Sequence, residues 1–191
     1  MGGLRFDKTE LDGVLVVRSE PYEDERGSFS RAFSRDEFAA AGAPLDVVQA
    51  NLSSSRRAGT VRGLHWQYPP AAETKLVRCT RGAVLDVVVD LRPESATFGR
   101  HVAVRLSADG REAVYVPPRC AHGYQTLVDD TEVGYQVSHV HTPDAEGGLR
   151  PDDPDLGIGW PLPVTAVSAR DTGWPDLAVQ RPELRRRMAD S

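Results

Sequence analysis

The chain has 191 residues, 40% of them hydrophobic and 27% charged, which suits one folded domain with a sizeable core. Its formal net charge of -5 argues against nucleic acid or an anionic membrane as the main partner, and no apolar run approaches the roughly 18 residues of a membrane span. The opening MGGLRFDKTELDG lacks an apolar h-region, and Cys79 and Cys120 form no CxxC, so a cytoplasmic protein with reduced thiols is expected.

In chain order, GVLVVR (Gly13 to Arg18) is the first short β-branched run expected to form a strand. Ser34-Arg35-Asp36-Glu37 reads as a capping box; Phe38 and three alanines follow, and Gly42 stops the predicted helix. VRGLHWQ (Val61 to Gln67) reads as a strand entering a turn. Further strands are predicted at Lys75 to Thr80, Ala83 to Arg92, His101 to Ser107, Glu112 to Pro117 and Glu132 to Val140. Turn pairs punctuate them at Arg81-Gly82, Asp109-Gly110, Pro117-Pro118 and Asp129-Asp130, and Asp109-Gly110 has the form of a hairpin turn. The Pro- and Asp-rich stretch from Thr142 to Pro163 reads as an ordered irregular loop, of a length that is often functional. Pro182-Glu183-Leu184 opens a basic helical segment, RPELRRRMAD, whose arginines read as a solvated face. Many short strands with this punctuation predict an all-β sandwich or barrel. There is no repeat and no linker, so residues 1–191 are expected to form a single domain.

Polar residues inside strand-rich segments carry the chemical information. His65 stands in the middle of a strand, where the plain reading is a histidine satisfied by backbone. Period-two alternation puts Arg62 and His65 on opposite faces; a bulge at Gly63 would bring them together. Lys75 has the plain reading of an edge lysine, Tyr135 of a core aromatic and Asp171 of a turn residue. His122 lies at a strand start after PPRCA. Together they supply a base, a phenol, a carboxylate to orient the base, and cations. That set suits proton removal beside a carbonyl through a stabilised enolate. Metal chemistry is not expected: His65 begins no HxH, and His139 with His141 offers fewer ligands than a catalytic metal takes.

The chain also resembles the dTDP-4-dehydrorhamnose 3,5-epimerase family. The resemblance rests on DERGSF (Asp24 to Phe29), VQANLSSS (Val47 to Ser54), VRGLHWQ, KLVRCTRGAVLDVVVDLRPESATFG (Lys75 to Gly99), VPPRCAHGY (Val116 to Tyr124), PDAEGG (Pro143 to Gly148), DPDLGIGWP (Asp153 to Pro161) and SARD (Ser168 to Asp171). It implies a cupin-type jelly-roll barrel with a few short flanking helices, the segment from about residue 165 packing on the barrel. It implies an epimerase of a dTDP-4-keto-6-deoxyhexose, acting at C3, C5 or both without a cofactor, in a homodimer. By the same resemblance His65 is the general base, Asp171 its carboxylate partner, Tyr135 the opposite-face acid and Lys75 the enolate-stabilising cation. Arg62 and Arg26 match diphosphate positions, Gln49 and Asn51 thymine positions, and His122 a second histidine of the site. Phe29 shares with Arg26 a segment that in family members can reach the neighbouring subunit's site, and is placed among the substrate contacts. The chain departs from the family pattern at Arg31, at Val140 and His141 where aromatics are frequent, and at Arg150-Pro151 where a tryptophan is frequent. These departures leave open a mono-epimerase of a specialised deoxysugar. The non-epimerising alternatives are a ketoisomerase and a non-catalytic sugar-nucleotide-binding cupin.

Overall fold

A computed structural model describes residues 2–189. Its elements in chain order are β1 (Leu4–Lys8), β2 (Leu15–Ser19), β3 (Tyr22–Asp24), β4 (Gly27–Phe29), α1 (Arg35–Ala40), β5 (Gln49–Ser55), β6 (Val61–Gln67), β7 (Lys75–Arg81) and β8 (Ala83–Asp90). They continue with β9 (His101–Ser107), β10 (Ala113–Val116), β11 (Cys120–Thr126), β12 (Thr131–Val137), β13 (Glu146–Gly148), α2 (Ala169–Thr172) and α3 (Leu177–Arg187). Two antiparallel sheets, ordered β1-β2-β10-β7-β12-β5 and β13-β6-β11-β8-β9, form the expected cupin-type jelly roll, and β3 pairs with β4 in a separate two-stranded sheet.

Alternation along the strands sorts the side chains into layers. Val77 and Cys79 from β7, Val133 from β12, Val84 and Val88 from β8, and Cys120 and Tyr124 from β11 pack in one cluster between the sheets. The odd residues of β8, Val87 and Val89, join Leu64, Trp66 and Ala121 beneath Leu177, Leu184 and Met188. AVLDVVVD is apolar on both faces because the C-terminal helix covers the outer one. On the other sheet, Leu15, Val17, Leu76 and Tyr115 pack against Phe38 of α1, and Phe6 meets the Phe38 ring edge-on at 5.0 Å. Both cysteines are buried; burial pushes the Cys120 thiol up to about 12, out of the reactive range. Among the described residues no helix is long and apolar enough to cross a membrane.

Several local expectations are corrected. Asp109-Gly110 is not a hairpin turn: β9 pairs with β8, whereas β10 pairs with β2 and β7 in the other sheet, so the turn carries the chain across the sandwich. The last helix begins at Leu177, with Pro182 inside it. Leu177 and Leu184 are fully buried on either side of that proline, and their burial outweighs the backbone hydrogen bond it removes. Asp190, at the end of the expected segment, lies outside the described residues. β12 stops at Val137 rather than Val140, so His139 is not on a strand. The 142–163 loop contains a 3-10 turn (Pro143–Ala145) and β13, which pairs with β6. The capping box is half formed. The Ser34 hydroxyl accepts the Glu37 N–H, but the Glu37 carboxylate takes the Leu4 N–H and pairs with Arg31.

Candidate active site

The site begins with an irregularity in β6. His65 pairs with His122 and Arg62 with Tyr124, so three steps along β6 match two along β11. The extra residue is a bulge, as the glycine in this strand suggested. Gly63 has φ +102°, and a Cβ there would stand 2.6 Å from the His122 carbonyl oxygen. Because of the bulge, Arg62 and His65 both line one cavity of about 500 Å³. Gly63→Ala is therefore expected to cost about 2–4 kcal/mol, read as a fall in Tm of roughly 5 °C or more; an unchanged Tm would show that the bulge tolerates a side chain.

The bulge also exposes a backbone donor. Gly63 N–H donates to Asp171 Oδ2 at 3.1 Å, and His65 Nε2 lies 2.7 Å from Asp171 Oδ1. Asp171 sits in α2, just after its N-cap Ser168, whose hydroxyl accepts the Asp171 N–H at 3.0 Å. The Val61 N–H donates to the Ala166 carbonyl, which ties this segment to the start of β6. Burial pushes the Asp171 carboxyl up, but the hydrogen bonds from His65 and Gly63 outweigh it and hold the group below the ordinary carboxylate range. An ionised Asp171 accepts Nε2–H and leaves the lone pair on His65 Nδ1. The stabilisation from this lowered value is complete above the unfolded-state pKa and is lost as pH falls through the folded one.

The facing sheet supplies the opposite wall. Tyr135 pairs with Val77 and Val137 with Lys75, so Tyr135 and Lys75 are carried inward by neighbouring strands. Both line the same cavity as His65, His122 and Asp171. Burial, then the charge of Glu73, raises the Tyr135 phenol, with Arg62 opposing; the group is a neutral O–H donor at neutral pH. Lys75 Nζ lies 2.9 Å from Glu73 Oε1 and 3.5 Å from the His65 carbonyl oxygen. His122 Nε2 lies 2.7 Å from Asp86 Oδ2, a second histidine–carboxylate pair and a more deeply buried one. Among the described residues Asp86 Oδ1 has no hydrogen-bond partner.

A smaller pocket of about 220 Å³ adjoins this cavity, sharing His65, Lys75 and Tyr135, and is lined by Gln49 and Asn51. Those two alternate inward on β5, and Gln49 Nε2 donates to Asn51 Oδ1 at 2.8 Å. Arg26 and Phe29 are not brought to either space. They stand on the exposed β3–β4 hairpin, where Arg26 pairs with Asp24. The sequence reading missed Arg170, which lines the cavity and pairs with Glu146, although a basic residue beside Asp171 was a usable signal. It also missed Asp86 and Glu73. His141 pairs with Glu146 at 2.9 Å, and Val140 is half exposed.

A histidine–carboxylate pair facing a neutral phenol across one cavity suits proton exchange at carbon. Residues 8–179 match the family model described as dTDP-4-dehydrorhamnose 3,5-epimerase. The chain belongs to the dTDP-4-dehydrorhamnose 3,5-epimerase family. A curated dTDP-4-dehydrorhamnose 3,5-epimerase from Methanothermobacter thermautotrophicus is 41% identical over 180 residues, covering 93% of this chain and 96% of the relative. A dTDP-4-dehydrorhamnose 3-epimerase from Streptomyces niveus is 41% identical over 169 residues, covering 88% and 81%. The Legionella pneumophila epimerase, solved in complex with dTDP-4-keto-L-rhamnose, superposes with a TM-score of 0.89 at 32% identity, covering 95% of this chain and 97% of that one. Membership of the epimerase family makes the chain an isomerase.

Proposed function

We propose that the chain epimerises a dTDP-4-keto-6-deoxyhexose at C3, C5 or both, with His65 and Tyr135 exchanging protons on opposite faces of the sugar. The observation that carries this reading is the placement of the His65–Asp171 pair and the neutral Tyr135 phenol on facing walls of one cavity. The 4-keto group acidifies the adjoining C–H bonds. His65 Nδ1 removes a proton, and Asp171 steadies the imidazolium that forms. The Lys75 ammonium holds the developing enolate oxygen. Tyr135 then protonates the carbon from the other side, inverting it.

The rest of the cavity fits a nucleoside diphosphate. Arg62 and Arg170 supply positive charge at its rim, and a local cationic field attracts phosphate even on an acidic chain. Gln49 and Asn51 offer the amide donors and acceptors that a thymine edge requires. Arg26 and Phe29 would complete the site of a neighbouring subunit in a homodimer, since they are exposed and line neither cavity of their own chain. The same reading places the enzyme in the cytoplasm, acting without a bound cofactor. C3-only and double epimerisation use the same base and acid, and the family relatives include enzymes named for each.

The test is direct. Purified protein incubated with dTDP-4-keto-6-deoxyglucose is expected to give product inverted at C3, C5 or both by NMR; a substrate that binds and returns unchanged would refute the proposal. Asp171→Asn is expected to lower kcat about 10²–10⁴-fold, because an amide can present N–H to Nε2 and favour the wrong imidazole tautomer. An unaffected rate would reduce Asp171 to a turn residue.

A further inference from the structure

We propose that Glu73, through its ion pair with Lys75, fixes that ammonium between His65 and Tyr135 and is a positioning residue for the reaction. Glu73 lies in the link between β6 and β7. Its side chain is 10% exposed and that of Lys75 is 12%, so the pair is held out of bulk water. One carboxylate oxygen takes Nζ at 2.9 Å and the other takes Gln67 Nε2. Gln67 is itself clamped: Nε2 also donates to the Ala71 carbonyl at 3.0 Å and the Val140 carbonyl at 3.2 Å, and Oε1 accepts the Thr142 N–H at 2.5 Å. The next residue, Thr74, is pinned to Ser138 by two backbone contacts, N–H to Oγ at 2.8 Å and carbonyl to N–H at 3.1 Å. The carboxylate is therefore fixed from three segments of chain.

Among the described residues Lys75 has no comparable anchor of its own. It is a compact charge on a flexible four-carbon stem, and its other contact is the long 3.5 Å approach to the His65 carbonyl. Glu73 thus decides where Nζ stands relative to an enolate oxygen. The carboxylate also disfavours a phenolate at Tyr135. Around Tyr135 the charged and titratable groups are Glu73, Arg62, Lys75, Tyr124, His65, His122, Arg170 and Asp171, with His139, His141 and Glu146 in the adjoining pocket. Of these, Glu73 acts with burial to keep the phenol protonated, and Arg62 opposes it. A buried ion pair adds little net stability, so its main consequence here lies in the placement of charge.

This inference rests on the proposed roles of Lys75 and Tyr135, and wild-type turnover in the same assay separates the two claims. Epimerisation of dTDP-4-keto-6-deoxyglucose would be measured from pH 6 to 10 for wild type, Glu73→Gln and Glu73→Asp, and at pH 7 for Lys75→Met with and without Glu73→Gln. Glu73→Gln is expected to lower kcat about tenfold with KM changed less than about twofold, because a displaced charge weakens the transition state more than substrate binding. Its alkaline limb is expected to move to lower pH, while Glu73→Asp keeps the limb in place. On the Lys75→Met background, Glu73→Gln is expected to change kcat no further. The double variant removes both charges, so it remains informative if Glu73→Gln alone fails to fold. A wild-type kcat and pH profile in Glu73→Gln, or a further full loss on the Lys75→Met background, would overturn the role. Absence of turnover in the wild type would instead refute the proposed reaction.

Discussion

Replacing His65 with alanine is expected to lower kcat for epimerisation by about 10³-fold or more, within the range that a positioned base contributes. The geometry explains why no neighbour substitutes for it. The other cavity histidine, His122, is buried and pairs through Nε2 with Asp86 on β8 rather than with Asp171. Removing the imidazole leaves Asp171 with the Gly63 N–H and Ser168 as charge-stabilising partners, a loss of about 1–3 kcal/mol of stability that the fold should survive. Nucleotide binding is expected to persist, because Arg62, Arg170, Gln49 and Asn51 are untouched. The check is kcat, dTDP affinity and Tm on the same preparation. A mutant that binds dTDP and turns over within about tenfold of wild type would remove His65 from the role of base.

Tyr135→Phe is expected to separate two rates that the wild type couples. The half-buried ring stays in place, so the cavity keeps its shape, but the neutral phenol on the wall facing His65 is gone. Abstraction and return of the proton by His65 on its own face remain possible. Solvent deuterium should therefore still enter C3 or C5, while net inversion falls about 10²-fold. Because burial and Glu73 raise the wild-type phenol above its ordinary value near 10, inversion should also hold to higher pH than an exposed tyrosine would allow. A parallel loss of exchange and inversion in Tyr135→Phe would mean that the phenol is not a separate acid.

Much of this was legible in the residues, for reasons that differ from place to place. The strands at 75–81, 83–90 and 101–107 declared themselves by β-branched runs between turn pairs. Gly63 inside a strand signalled the bulge that puts Arg62 and His65 on one face. Strand β5 gave no such signal, because its inward residues Gln49, Asn51 and Ser53 are polar and its outward Leu52 is exposed. That inversion is what lining a wet cavity requires. Asp109-Gly110 misled because turn chemistry is local, whereas the choice of sheet is made by the packing of the two layers. Pro182 misled because a proline favours a helix start only when tertiary burial does not extend the helix past it. Asp86 was readable in principle, as a lone carboxylate within AVLDVVVD. Glu73 was not: in PPAAETK it has the look of a surface turn, and only the fold tucks it beneath Lys75.

The most direct measurement is deuterium incorporation. Wild-type protein would be incubated with dTDP-4-keto-6-deoxyglucose in D2O, and C3 and C5 followed by NMR. Proton removal by His65 and return by Tyr135 predict solvent deuterium at every carbon that inverts. Inversion with the original hydrogen retained, or no deuterium at either carbon of a bound substrate, would contradict the two-face account.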